Sequence, residues 1–146
     1  MRKRLALFGS GRGSNGEAIY KAIEAGHIES EIVLIISDRS NVGIVEKGYT
    51  WQIPVHIIDP TMYAQKEEWV QATLDVLASY AVDGVLLAGY MRVLPPTFVQ
   101  AYRGNILNIH PSLLPAFTGL QAQKQALLKG VKYTGCTVHF VDEGMD

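Results

Sequence analysis

The sequence predicts an α/β domain: an open, mostly parallel sheet with helices on both faces. Two observations carry this expectation. Strand-like and helix-like patterns alternate along the chain, as in βαβ units. Residues 32–37, Ile-Val-Leu-Ile-Ile-Ser, form a nearly continuous apolar run, as a parallel strand covered on both faces requires. An open sheet of this kind is Rossmann-like.

Each element has its own signal. Residues 4–8 read as a first strand. Residues 15–25 read as a helix, with Ala18, Ile19, Ala22 and Ile23 on one face and Gly26 as the stop. The strand over 32–37 ends at Asp38-Arg39-Ser40-Asn41, and a short helix follows over 42–47. Residues 55–58 form a third strand. The longest helix spans 63–80, with Val70, Leu74, Leu77 and Ala81 at helical spacing. A fourth strand covers 84–88, a proline-opened helix 95–102, and a fifth strand 105–108. A helix over 122–129 stops at Gly130, and a weakly alternating strand runs over 135–141. There is no repeat and no linker, so residues 1–146 read as one domain. Strand order is not legible in the pattern.

Composition narrows the function classes. A chain of 146 residues with 48% hydrophobic content builds its own core without a disulfide or metal. A net charge of −1 gives no general pull toward nucleic acid or membrane. Met1-Arg2-Lys3-Arg4 is basic, but the apolar stretch after it stops at Gly9, too short for a signal peptide. No apolar run approaches membrane-spanning length. The single cysteine, Cys136, excludes an internal disulfide and reads as a small core residue. No His-Glu-x-x-His motif or paired ligand spacing suggests a metal. A cytoplasmic protein that meets small molecules is the expectation.

Two motifs carry chemistry. The first is Gly9-Ser10-Gly11-Arg12-Gly13-Ser14-Asn15-Gly16, between the first strand and the first helix. Amides at a helix start, with the Ser14 hydroxyl and the Asn15 side chain, suit a phosphate. Residues 11–16 also fit the dinucleotide fingerprint G-x-G-x-x-G, for which Asp38 is the acidic candidate, though it sits late. Phosphate binding is favoured over a whole dinucleotide. The bland alternative is a tight turn capped by Ser14 or Asn15.

The second motif is Asn108-Ile109-His110-Pro111-Ser112-Leu113-Leu114-Pro115. Residues two apart on a strand share a face, so Asn108 and His110 project together where ligands of open α/β sheets collect. An amide and an imidazole there can hold a carbonyl and move a proton. Of the other histidines, His27 reads as a solvated cap and His56 as structural, while His139 can face either way. One of Asp142, Glu143 and Asp146 is expected to face His110. Residues 87–94, Leu-Ala-Gly-Tyr-Met-Arg-Val-Leu, can wall a pocket for a flat ring, although Leu87 and Leu94 read equally well as core.

Together these segments resemble the phosphoribosylglycinamide formyltransferase family over essentially the whole chain. The Ser-Gly-x-Gly-Ser-Asn turn, Leu-Ala-Gly-Tyr-Met-Arg, Asn-Ile-His-Pro-Ser-Leu-Leu-Pro and the closing residues 137–146 occur in family order. The resemblance implies formyl transfer from 10-formyltetrahydrofolate, as cosubstrate, to the amine of glycinamide ribonucleotide. It implies Gly13, Ser14 and Asn15 on the ribonucleotide phosphate and Asn108, His110 and Asp146 as catalytic trio. It implies Leu87, Gly89, Tyr90, Met91, Arg92, Val93, Leu94 and Val141 on the folate side, and no metal. Its partners are small-molecule substrates, with a homodimer allowed and neither nucleic acid nor membrane involved.

The chain also departs from the family pattern. It stops at Asp146, where members continue, so a domain truncated at its C-terminal end, weakly active or inactive and prone to self-association, is expected. Thr118 and Gln121 stand where the family commonly has proline and often histidine. The rivals are a formyltetrahydrofolate hydrolase, with water in place of the amine, and a non-catalytic phosphate- or folate-binding remnant. A methionyl-tRNA formyltransferase and a dinucleotide-dependent oxidoreductase are weaker.

Overall fold

A strand sits at the centre of a sheet when both of its faces can be buried, and β1 (Lys3–Gly9) meets that condition from Ala6 to Gly9. The computed structural model describes residues 2–110 and 137–141. After β1 come α1 (Ser14–Glu24), β2 (Ser30–Ser37), α2 (Gly43–Thr50) and β3 (Val55–Ile57). A 3-10 turn (Pro60–Met62) precedes α3 (Lys66–Ser79), β4 (Gly84–Leu87), α4 (Pro96–Ala101), β5 (Ile106–His110) and β6 (Thr137–Phe140). Among the described residues, the sheet has six strands in the order β3-β2-β1-β4-β5-β6. β1 to β5 pair in parallel, and β6 joins β5 antiparallel. The expected α/β, Rossmann-like architecture is therefore present, with an antiparallel edge that the pattern did not reveal.

Both faces of the sheet are covered. Ala6 and Phe8 pack with Trp69, Val70 and Leu77 of α3 and Phe98 of α4. Leu7 and Ile35 pack with Ile23 of α1 and with Ile44 and Val45 of α2. The alternation of side chains along a strand divides the two clusters. Between Leu5 and Ala6 the register against β2 slips from Ile32 to Leu34. Val33 is the extra residue, and it joins Leu34 in the α3–α4 cluster.

Helix ends explain where the structure differs from the sequence-based boundaries. α1 stops as Gly26 suggested: Gly26 has φ 80, its N–H donates to the Ile23 carbonyl, and the His27 N–H donates to Ala22. α2 and α3 end in the same hydrogen-bond pattern without glycine, at Gln52 (φ 58) and Ala81 (φ 51). Ala81, expected on the apolar face of the long helix, is instead an exposed left-handed residue beyond its end. That helix also starts at Lys66, not Tyr63. The Asp59 carboxylate accepts from the Thr61 N–H and hydroxyl and draws residues 60–62 into the separate 3-10 turn. The predicted helix over 122–129, with Thr118, Gln121 and Cys136, lies outside the described residues.

Candidate active site

β2 lies on one side of β1 and β4 on the other, so the chain reverses its direction of winding between β1 and β4. Open α/β sheets bind ligands at such a point, beyond the carboxyl ends of the strands. Phe8, Leu87 and Asn108 stand in register across β1, β4 and β5. The turn leaving β1 and the loop leaving β4 therefore begin side by side, with Asn108 one strand further on.

The glycine-rich turn is shaped by close approach. Gly13 is the residue before α1, left-handed at φ 77, and a Cβ there would lie 2.8 Å from Ile44 Cδ1. The turn thus wraps around Ile44 of α2, with Gly16 packed on the same side chain. Ile44 N–H donates to the Gly11 carbonyl at 2.9 Å, and Lys47 Nζ donates to the Arg12 carbonyl at 2.8 Å. Ser14 and Asn15 open α1 and are exposed, and neither side chain caps the helix. The capped-turn alternative is therefore not what forms. Glu17, in the first helical turn, opposes an anion, but it pairs with Lys21 at 2.9 Å and Lys47 at 3.6 Å. The Lys21 contact first, and both lysine charges with it, hold the Glu17 carboxyl below its ordinary range.

The loop after β4 has a buried root and an exposed rim. Leu87 is core, and Leu94 packs against the core, as their apolar reading allowed. Tyr90 packs edge-on against Phe8, with ring centroids 5.2 Å apart. Burial, and then the charge of Asp38, raises the Tyr90 phenol well above its ordinary value. Gly89, at φ 76, turns the chain so that Met91 and Val93 stand in solvent. Those two side chains are the part of this loop able to wall a flat ligand.

One buried carboxylate joins the two segments. Asp38 follows β2 directly and is 3% exposed. Its Oδ1 accepts from the Ser10 hydroxyl at 2.6 Å, and its Oδ2 accepts from Arg92 Nε at 2.8 Å. The Ser10 oxygen in turn accepts from the Met91 N–H at 2.9 Å, and the Ser10 N–H donates to the Gly89 carbonyl at 3.1 Å. Arg92 Nη2 reaches Asp59 at 3.7 Å. The hydrogen bond to Asp38 first, and then the charges of Asp38 and Asp59, push the Arg92 guanidinium above its ordinary value. The Asp38 carboxylate is committed inside the protein, which removes the ribose contact that a dinucleotide fingerprint needs.

Comparison with known proteins identifies the framework. The formyl transferase family model matches residues 3–146. The chain belongs to the formyl transferase family. It is 43% identical over 144 residues to the phosphoribosylglycinamide formyltransferase of Bacillus subtilis, covering 99% of this chain and 74% of that one. The crystal structure of phosphoribosylglycinamide formyltransferase from Bacillus halodurans superposes with a TM-score of 0.95 at 48% identity, over 99% of this chain and 74% of that chain. A formyltetrahydrofolate deformylase from Pseudomonas syringae is more distant, at 29% identity and a TM-score of 0.88, over 100% of this chain and 48% of that chain.

Within this family framework, the structure brings Gly13, Ser14 and Asn15 and residues 87–94 to one edge of the sheet. Asn108 is half-buried on β5 and shares the sheet face of Leu87, its register partner. Half-buried Val141 follows β6, donates its N–H to Ile106 and packs on the same face. His110 closes β5 opposite Thr137, with its side chain outside the described residues. Asp142, Glu143 and Asp146 lie outside them too, as does the His139 side chain. His56 is structural, as expected: its Nε2 lies 3.1 Å from the Tyr80 hydroxyl. Among the described residues, no group of His, Cys, Asp and Glu could hold a metal, and no helix is long and apolar enough to cross a membrane. Sequence reasoning missed the contacts of Ser10 and Asp59, and it weighed Asp38 only as the acidic candidate of a dinucleotide fingerprint that it placed behind phosphate binding. The available signal was a carboxylate placed directly after the apolar run at 32–37.

Proposed function

We propose that residues 1–146 belong to a single formyltransferase domain that transfers a formyl group from 10-formyltetrahydrofolate to the amine of glycinamide ribonucleotide, a step of purine synthesis. The observation that carries this reading is the 43% identity over 99% of the chain to a phosphoribosylglycinamide formyltransferase. The turn at Gly13, Ser14 and Asn15 takes the ribonucleotide phosphate on α1 amides and exposed polar side chains. The loop at 87–94, with Val141, takes the folate, its ring against Met91 and Val93.

The substrate amine attacks the formyl carbon, so no protein nucleophile is needed. A tetrahedral oxyanion forms, and Asn108 donates a hydrogen bond to it, an effect of about 10²–10³ in rate for such donors. His110, oriented by Asp146, stabilises the same oxygen. The proton lost by the amine passes to the departing folate nitrogen through His110, Asp146 or water, a general acid–base gain of about 10²–10⁴.

The test assays wild type and His110→Ala with both substrates, with a control lacking ribonucleotide. Formylated product that needs both substrates and His110 supports the reading. Tetrahydrofolate and formate released without ribonucleotide would instead mark a hydrolase. Folate binding without turnover would mark a binding domain.

A further inference from the structure

We infer that Asp38 is a positioning residue for the folate side: acting through Ser10 and Arg92, it clamps the loop after β4 against the turn after β1. The part that concerns the folate rests on the function proposed above. The side-chain hydrogen bonds of Asp38 go to Ser10 and Arg92, while the exposed rim of the loop is Met91 and Val93. Its two oxygens are divided between partners 28 residues before it and 54 residues after it. Each partner fixes a different part of the loop. Ser10 sits between Asp38 and the Met91 N–H, so its hydroxyl must donate to the carboxylate and accept from the amide. That assignment leaves its rotor a single useful orientation. The Ser10 N–H holds the Gly89 carbonyl, so one residue grips the loop on both sides of Tyr90.

Arg92 supplies the second grip. Its guanidinium is turned to buried Asp38 and to partly exposed Asp59, although its position invites reading it as a ligand contact. The structure therefore assigns the Arg92 side chain to holding the loop. The ligand-facing surface is left to Met91, Val93 and the backbone between them. Charge is needed at Asp38 because only a carboxylate accepts from both the hydroxyl and the guanidinium. An asparagine keeps one acceptor and turns an N–H toward a donor.

The test follows two readouts in Ser10→Ala, Asp38→Asn, Arg92→Met and Arg92→Lys. The first is hydrogen exchange of the Met91 amide, which needs no substrate. The second is steady-state kinetics, resolved into KM for each substrate and kcat. Ser10→Ala is expected to speed Met91 exchange and raise the folate KM, each by about tenfold, as for a lost hydrogen bond in a charged network. The ribonucleotide KM and kcat should stay within about twofold, because a uniform binding loss leaves the chemical step alone. Arg92→Lys, which keeps a cation for Asp38, should recover most of the folate KM that Arg92→Met loses. General loosening of the fold would move both KM values and kcat together.

Unchanged Met91 exchange in Ser10→Ala and Asp38→Asn overturns the clamp. Faster exchange with an unchanged folate KM overturns its role in positioning the folate. A wild-type chain that neither turns over nor binds 10-formyltetrahydrofolate sinks the proposed function and the folate part of this inference. In that case the exchange data still decide the clamp.

Discussion

The two segments that meet between β1 and β4 are held by opposite means. From Gly11 to Gly16 the turn after β1 keeps its shape through the absence of side chains: Gly13 and Gly16 let Ile44 approach, and the Gly11 and Arg12 carbonyls accept from Ile44 N–H and Lys47. The loop after β4 keeps its shape through the presence of side chains, namely Ser10, Asp38 and Arg92 around one carboxylate. The first arrangement fails when an atom is added, and the second fails when an atom is removed. The turn is thus set by rigid backbone, and the apolar surface of the loop by a tie of adjustable strength.

Substitutions can break this comparison in order of expected effect. Gly13→Ala combines a left-handed backbone with a Cβ 2.8 Å from Ile44. We expect a loss of about 3 kcal/mol in urea unfolding, from overpacking and backbone strain together. A loss below about 1 kcal/mol would mean that α2 yields easily. Asp38→Asn should cost about 2 kcal/mol, since a hydrogen bond to a buried charge is lost and a donor is left facing Arg92. If it costs nothing, the loop is held by Tyr90 and Phe8 instead.

Gly89→Ala sharpens the contrast with Gly13. Both are left-handed, but a Cβ at Gly89 meets nothing within 4 Å. Only the backbone term remains, about 1 kcal/mol. Equal losses at the two glycines would contradict the packing argument.

Tyr90 gives a pH test of the loop. Its folded value lies above the ordinary value of 10.0. The unfolded chain therefore releases the phenol proton first as pH rises, and it holds fewer protons than the folded chain. Stability from this group is intact below pH 10 and falls above it, by up to about 1.4 kcal/mol per pH unit. Tyr90→Phe should flatten that alkaline limb, measured by urea midpoints between pH 9 and about 11, a range set by the ordinary Tyr value. The smallest effect lies far from the site. Ala81→Gly, at φ 51, should raise stability by about 0.5 kcal/mol, because glycine removes the left-handed strain at some cost in unfolded-chain entropy. A lower thermal midpoint would count against that.

What was legible in the sequence depended on how local its cause was. Alternating elements, the doubly covered run at 32–37 and the stop at Gly26 are decided within a few residues, and they stand as read. Ala81 and Gln52 were opaque because each helix is ended by packing beyond it, with no glycine to mark the place. The 3-10 turn at Pro60–Met62 had a local cue in Asp59-Pro60-Thr61, an aspartate able to accept from the backbone two residues on. The partners of Asp38 are 28 and 54 residues away, so no spacing rule could join them. Strand order and the antiparallel β6 were hidden likewise, since pairing partners are chosen by the whole sheet. The family resemblance, by contrast, was legible because several ordered motifs supported it at once.

The central place of β1 has a temporal consequence. It pairs with β2 and with β4, whose residues lie about fifty positions apart. During synthesis, at about 5–20 residues per second, β1 and β2 can pair while the other edge of β1 still lacks its neighbour for several seconds. Until Gly84–Leu87 arrives, an apolar strand edge lies open beside the glycine-rich turn. The switch point is thus the last seam of this half of the sheet to close, and the Ser10 bridge to Met91 forms only after that seam is made.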